Sequence, residues 1–354
     1  MAYSTISKPN LHFNTKLFTG NGSTNAITGV GFQPDWIWFK NRTDARAHAL
    51  VDAVRGTNKV LRSDAADAEA TTTAGRDFES FDTDGFTVNN PLAFNSFNES
   101  GDNIVAWNWK AGGGQGTSNT DGSINTTYTS VNTTAGFSIS SYTGTGSNAT
   151  VGHGLGAVPK VIFIKELNPA SSRSWRVYHH NIGNNKVFYL DLTNAQVSDT
   201  TAFNSTTPTS SVFSLGTSVG TNESGKNFVA YCFAEKTGYS KFGSYIGNGN
   251  ANGTFVYTGF KPGWIMWKRK DASNGWYLLD TVREPTNGNG RYLLPAETDA
   301  EQNDSAQADL LSNGFKLRNT DGSKNANGGT YVYLAFAEEP LVANVGASIP
   351  ATAR

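Results

Sequence analysis

Apolar and β-branched runs of four to eight residues, broken by Asn-Gly, Asp-Gly and glycine-rich turns, recur along the whole chain and predict strands. The densest is "GFQPDWIWFK", from Gly31 to Lys40. Strand alternation sends Trp36 and Trp38 to one face and Ile37 and Phe39 to the other, so both faces are apolar. Such a strand is expected in the middle of a sandwich or against another subunit. Pro34 marks its start, where a missing backbone donor is tolerated. Two stretches carry helical spacing instead: "ALVDAVRG" from Ala49 and "DAEQNDSAQADLL" from Asp299 each predict one or two helical turns.

The Gly31 segment recurs as "GAVPKVIFIK" from Gly156 and "GFKPGWIMWK" from Gly259, each with proline at the fourth place and lysine at the tenth. Two further landmarks keep step with it. Upstream stand "LFTGNGS" at Leu17, "SYTGTGS" at Ser141 and "SYIGNGN" at Ser244; downstream stand "IVAWNWK" at Ile104, "FVAYCFA" at Phe228 and "YVYLAFA" at Tyr331. Agreement of three landmarks establishes a triplication. A shorter element, "FDTDGFTV" from Phe81 and "LLSNGFKL" from Leu310, predicts strand, tight turn and strand; its middle relative is "SSVFSLGT" from Ser210.

The expected fold is therefore all-β, with three tandem homologous β-sandwich, jelly-roll-like domains at residues 14–111, 137–238 and 239–340. Residues 1–13 form an N-terminal arm and 341–354 a C-terminal tail. The stretch 112–136, "GGGQGTSNTDGSINTTYTSVNTTAG", is poor in core-forming residues and reads as a linker or surface hairpin.

Composition narrows the function classes. With 28 Lys+Arg against 29 Asp+Glu, no chain-wide field would draw in nucleic acid or anionic lipid. Cys232 is the single cysteine, which excludes an intrachain disulfide and a cysteine-based zinc cluster. No apolar run of about 18 residues and no signal-peptide pattern is present, so synthesis in a cytoplasm and a soluble product are expected.

Candidate chemistry is sparse. Gly20-Asn21-Gly22 lacks the Gly-Lys-Ser/Thr of a phosphate loop, and Asp82-Thr83-Asp84-Gly85 lacks the acidic residue that would close a calcium loop, so both read as turns. Adjacent His179 and His180 could bind a metal, but strand alternation would aim them at opposite faces. Their place in the outer repeats is taken by Asp52 with Arg55 and by Asp280 with Arg283. These residues, together with Trp175, are the candidates for glycan or subunit contacts. No catalytic residue, cofactor site or metal site is expected, and a glycan depolymerase is a distant third possibility.

The "LFTGNGS" to "GFQPDWIWFK" and "VAYCFAEKTGYSKFGSYIGNG" elements resemble a module of virion structural proteins of tailed bacteriophages, marine ones especially, over about Phe13 to Glu339. The resemblance implies a non-enzymatic protein located in the virion. Its partners would be other virion proteins, with self-association, as a trimer in fibres and decorations. The first expectation is a tail fibre or appendage whose Asn-, Ser- and Thr-rich loops meet host-surface glycan. The alternative is a capsid decoration or connector with a purely structural role, docked on neighbours through the arm Met1 to Phe13. The segments that vary between copies, "NRTDARAH" from Asn41, "ELNPASSRS" from Glu166 and "RKDASNG" from Arg269, are where function is sought.

Overall fold

The protein is described here by a computed structural model covering residues 4–341 apart from Asn95; residues 1–3 of the arm and 342–354 of the tail lie outside the described residues. Each repeat builds one large antiparallel sheet with the same strand order: an opening strand, a return strand, a central strand and a flanking strand. In the first repeat these are Phe13–Thr19, Asn103–Trp109, Trp36–Asn41 and Ala49–Asp52. In the second they are Phe137–Thr143, Asn227–Phe233, Val161–Glu166 and Arg176–His179, and in the third Ser240–Ile246, Thr330–Pro340, Phe260–Arg269 and Trp276–Asp280. Among the described residues, helix is confined to a 3-10 turn at Pro9–Leu11 and one turn at Val219–Asn222. The chain is all-β.

Alternation along the central strands explains their apolarity on both sides. One face covers the repeat's own small sheets: Ile37 and Phe39 pack with Phe86 and Phe97, Ile162 and Ile164 with Phe213, and Ile265 and Trp267 with Phe315. The opposite faces of all three large sheets meet in a single core. It contains Trp36, Trp38, Trp107 and Trp109 from the first repeat, Val161, Phe163, Tyr231 and Phe233 from the second, and Trp264, Met266, Leu334 and Phe336 from the third. Trp36 stacks on Tyr231 with centroids 4.6 Å apart, and the Phe336 ring lies within 6 Å of Phe13, Trp109, Phe233 and Trp264. The surface that a lone sandwich would leave in water is covered here by the other two repeats.

Both stretches with helical spacing are strands. Ala49–Asp52 is buried at every position and pairs with the central strand from Trp36 to Phe39, so sheet hydrogen bonds and burial override helix propensity. Gln302–Leu311 is paired on both sides, to Asn289–Tyr292 and to Gly314–Leu317. The tight turns fall as expected, between Asp82 and Gly85 and between Leu311 and Gly314. At Gly314 an added Cβ would lie 2.1 Å from the Val256 carbonyl oxygen, so the turn requires glycine there.

The 112–136 stretch is woven into the second repeat. Tyr128–Asn132 adds a fifth strand beside Phe137–Thr143, and Ile124 bridges to Val151. The described part of the arm folds onto its own chain: Ile6 enters the shared core, and Phe13 stacks on Phe336 at 5.2 Å.

Because the core is shared, damage at one point is expected to be felt by all three repeats. Phe336→Ala should cost about 3–5 kcal/mol, as for other buried large-to-small changes, without splitting the denaturant melt into separate transitions. A fragment of residues 137–238 should show no cooperative unfolding by near-ultraviolet circular dichroism.

Candidate functional site

The expected site residues lie in the seams between repeats. Asp52, His179 and Asp280 end the three flanking strands, opposite Trp36, Val161 and Trp264. Each reaches the return strand of the next repeat. Asp52 Oδ2 accepts from the Tyr231 hydroxyl at 2.6 Å, and Asp280 Oδ2 accepts from Trp107 Nε1 at 3.0 Å. The residue equivalent to Trp107 and Tyr231 in the third repeat is Leu334, which has no side-chain donor or acceptor. There His179 Nε2 donates to the neighbouring Tyr333 carbonyl at 3.3 Å, while its Nδ1 accepts from the Asn181 backbone at 3.2 Å. The contacts run first to second, second to third and third to first, closing a ring.

A second ring runs the other way. His48, Trp175 and Trp276 stand four residues before Asp52, His179 and Asp280. His48 Nε2 donates to the Leu294 carbonyl at 3.1 Å, Trp175 Nε1 to Arg62 at 2.8 Å, and Trp276 Nε1 to Tyr189 at 2.8 Å. Trp38 Nε1 donates to His48 Nδ1 at 2.8 Å, which leaves the imidazole proton on Nε2. The terminal lysines of the triplicated segment serve the same seams. Lys40 donates to the Thr298 carbonyl of the third repeat at 3.1 Å, and Lys268 donates to Thr193 of the second at 2.9 Å. Lys165 instead holds its own loop at the Arg173 carbonyl, 2.5 Å away, and Arg173 donates its backbone N–H to Ala66 of the first repeat. Burial pulls Lys40 and Lys165 down to about 8 and Lys268 to about 7.

Arg55 and Arg283 complete the acidic seams. Each Nε lies 2.5 Å from its aspartate, and the second carboxylate of each guanidinium is Glu69 at 3.0 Å or Glu301 at 2.9 Å. Burial opposes the Arg55 charge, but the Asp52 carboxylate outweighs it and the group titrates above its ordinary value. Glu301 also binds Arg42 of the first repeat at 2.8 Å. In the second repeat Ile182 stands where the arginine would be and His179 where the aspartate would be, so both charges are lost together. That matched loss avoids an uncompensated buried ion.

Of the seven candidates, Asp52, Trp175, His179 and Asp280 are fully buried, and Arg55 and Arg283 have buried side chains. His180 is half-buried and donates to the Phe242 carbonyl at 2.6 Å. The two histidines are not splayed to opposite faces: the strand ends at His179, the chain turns, and the rings stack at 5.2 Å. The variable segments 41–48, 166–174 and 269–275 lie in the same seams, through Arg42, His48, Arg173 and Asn274. Among the described residues no group of three or more His, Cys, Asp or Glu could hold a metal ion, and burial pushes the Cys232 thiol up.

Sequence reasoning missed a second set of repeated polar residues. Buried Asn98, Asn222 and Asn325 clamp the glycine-rich turns: their side chains accept from the backbone N–H of Asn21, Thr145 and Asn248 and donate to Ser23, Ser147 and Asn250 carbonyls. The recurring Asn-Glu-Ser-Gly at Asn98 and Asn222 is the signal that could have found them.

The accessible concave surface is elsewhere, along the third repeat. A cleft of about 410 Å³ is lined by Ser4, Glu235, Lys241, Tyr257 and Leu341. It adjoins, through Tyr257, a second cleft of about 630 Å³ bordered by Ser244, Ile246, Phe255 and Tyr333.

Two measurements check the seams. Asp52→Asn leaves Arg55 buried beside a weakened partner and should cost about 3–5 kcal/mol in denaturant unfolding; combined with Tyr231→Phe, the losses should be markedly less than additive. Burial holds His179 down to about 3, below its ordinary 6.5. The unfolded chain therefore takes up the proton first, and stability is lost as pH falls below 6.5. His179→Gln keeps a donor without titrating, so it should lack about 2 kcal/mol of the wild-type loss between pH 6.5 and 5.

No curated protein and no solved structure matches the chain. A family model does, over residues 8–340, from the arm's 3-10 turn to the end of the last return strand. The chain thus belongs to the family described as Domain of unknown function (DUF7483).

Proposed function

We propose that the protein is a non-catalytic structural component of a tailed-phage particle, acting by assembly with other virion proteins. The observation that carries this reading is where the chemistry is placed. The aspartates, arginines and histidines singled out by sequence hold one repeat to the next, and all eight tryptophans are buried. A lattice of buried seams suits a particle part that must keep its shape under load, and the near-neutral charge suits dense packing. The virion setting rests on the resemblance of the triplicated segments to phage structural modules.

Host-glycan attachment through a tail appendage is the second reading. The feature favouring it is Tyr257, 55 % exposed beside Glu235 and Lys241, which offers a ring to stack on and polar groups nearby. The two readings separate on purified particles and purified protein. Assembly is supported by a fixed copy number in particles, with no retention on a glycan array and normal host adsorption by particles carrying Tyr257→Ala. Absence from particles, or glycan retention that Tyr257→Ala abolishes, would overturn it.

A further inference from the structure

The second and third repeats carry the same groove in two states. In the second, the gap between the edge strands Phe137–Thr143 and Ala149–Gly152 is filled by the chain's own insertion. Thr127 N donates to the Ser141 carbonyl at 2.8 Å, and Ile124 N donates to the Thr150 carbonyl at 3.0 Å. The Thr150 N–H is itself bonded to Ser123 Oγ at 2.9 Å. An extended segment thus satisfies the outward backbone groups of both edges, as in strand addition between proteins.

The third repeat lacks an insertion, and its equivalents of Ser141 and Thr150 are Ser244 and Phe255. Ser240–Ile246 and Phe255–Tyr257 each stand at the edge of a sheet, and Ser244 and Phe255 line the larger cleft between them. Ile246, Phe255 and Tyr257 are 62 %, 44 % and 55 % exposed, a concentration of apolar side chains on open strand edges that soluble proteins ordinarily cover. Half of the first edge is already closed: the Phe242 N–H donates to Glu235 at 2.9 Å, and its carbonyl accepts from His180. The unfilled part runs from Ser244 toward Ile246 and along Phe255–Tyr257.

We infer that this groove is a strand-acceptor site and that its occupant is the chain's own C-terminal segment, residues 342–349. Leu341, the last described residue, lines the adjoining cleft with Tyr257, at the head of the groove. From there the sequence alternates Leu341, Ala343, Val345, Ala347 and Ile349 with small or polar residues at most intervening places, then stops at Pro350. That is the period of a strand with one apolar face, ended by a residue that cannot extend a ladder. At about 3.3 Å per residue, eight residues reach about 26 Å, enough to pass both edges. The segment would give the third repeat what residues 123–132 give the second.

Backbone amide hydrogen exchange tests this on the full chain, a chain ending at Leu341, and full-length Val345→Asp. In the full chain, amides of residues 244–246 and 255–257 should exchange at least about tenfold more slowly than in either variant, at a rate independent of concentration, with a monomeric mass by light scattering. Exchange elsewhere should be unchanged. A peptide of residues 341–350 added to the shortened chain should restore the protection. Equal rates in all three proteins would overturn the inference, as would protection that grows with concentration alongside a dimeric mass, which would place a second copy in the groove.

Discussion

Each large sheet carries two apolar faces, and its own repeat covers only one of them. That unmet requirement organises the molecule. Burying a large apolar side chain is worth about 1.5–3 kcal/mol, and the faces bearing Trp36 and Trp38, Phe163 and Tyr231, and Trp264 and Phe336 would each forfeit several such contributions in water. Three copies meeting face to face remove all of that surface together, and the aromatic rings meet in stacked and edge-on geometries that add further stabilisation.

Closing three sheets around one core brings polar strand ends into dry seams, and polar groups there must be satisfied. The two counter-running rings of hydrogen bonds meet that demand with whichever residue pair the local neighbour allows. An aspartate is present where the next return strand presents a tyrosine hydroxyl or an indole N–H, and a neutral histidine where it presents only a carbonyl. The buried lysines, drawn toward neutral by their surroundings, hold loop carbonyls by the same logic. The threefold order that fibres and decorations commonly obtain from three subunits is present here within one chain.

Much of this was legible in the sequence, and the gaps have physical causes. The three repeats, the central strands and the tight turns followed from spacing and alternation, because those are local. The apolar face of "GFQPDWIWFK" was readable as needing a partner, but not which one: a neighbouring repeat and a neighbouring subunit bury a tryptophan equally well. Asp52–Arg55 and His179 were readable as polar residues in an apolar setting. Their role depended on Tyr231, Trp107 and Tyr333, more than 150 residues away in sequence. Ala49–Asp52 misled because four buried residues beside a turn carry no periodicity that separates helix from strand.

The central claim is that the repeats stabilise one another through a common core and do not stand as separate domains. Native-state hydrogen exchange at the core positions of the three central strands, Trp38, Phe163 and Met266, tests it most directly. A shared core requires the three amides to open with the same free energy, equal to that of global unfolding, and to respond together to denaturant. Three distinct opening energies, or one central strand exchanging while the others stay closed, would contradict it.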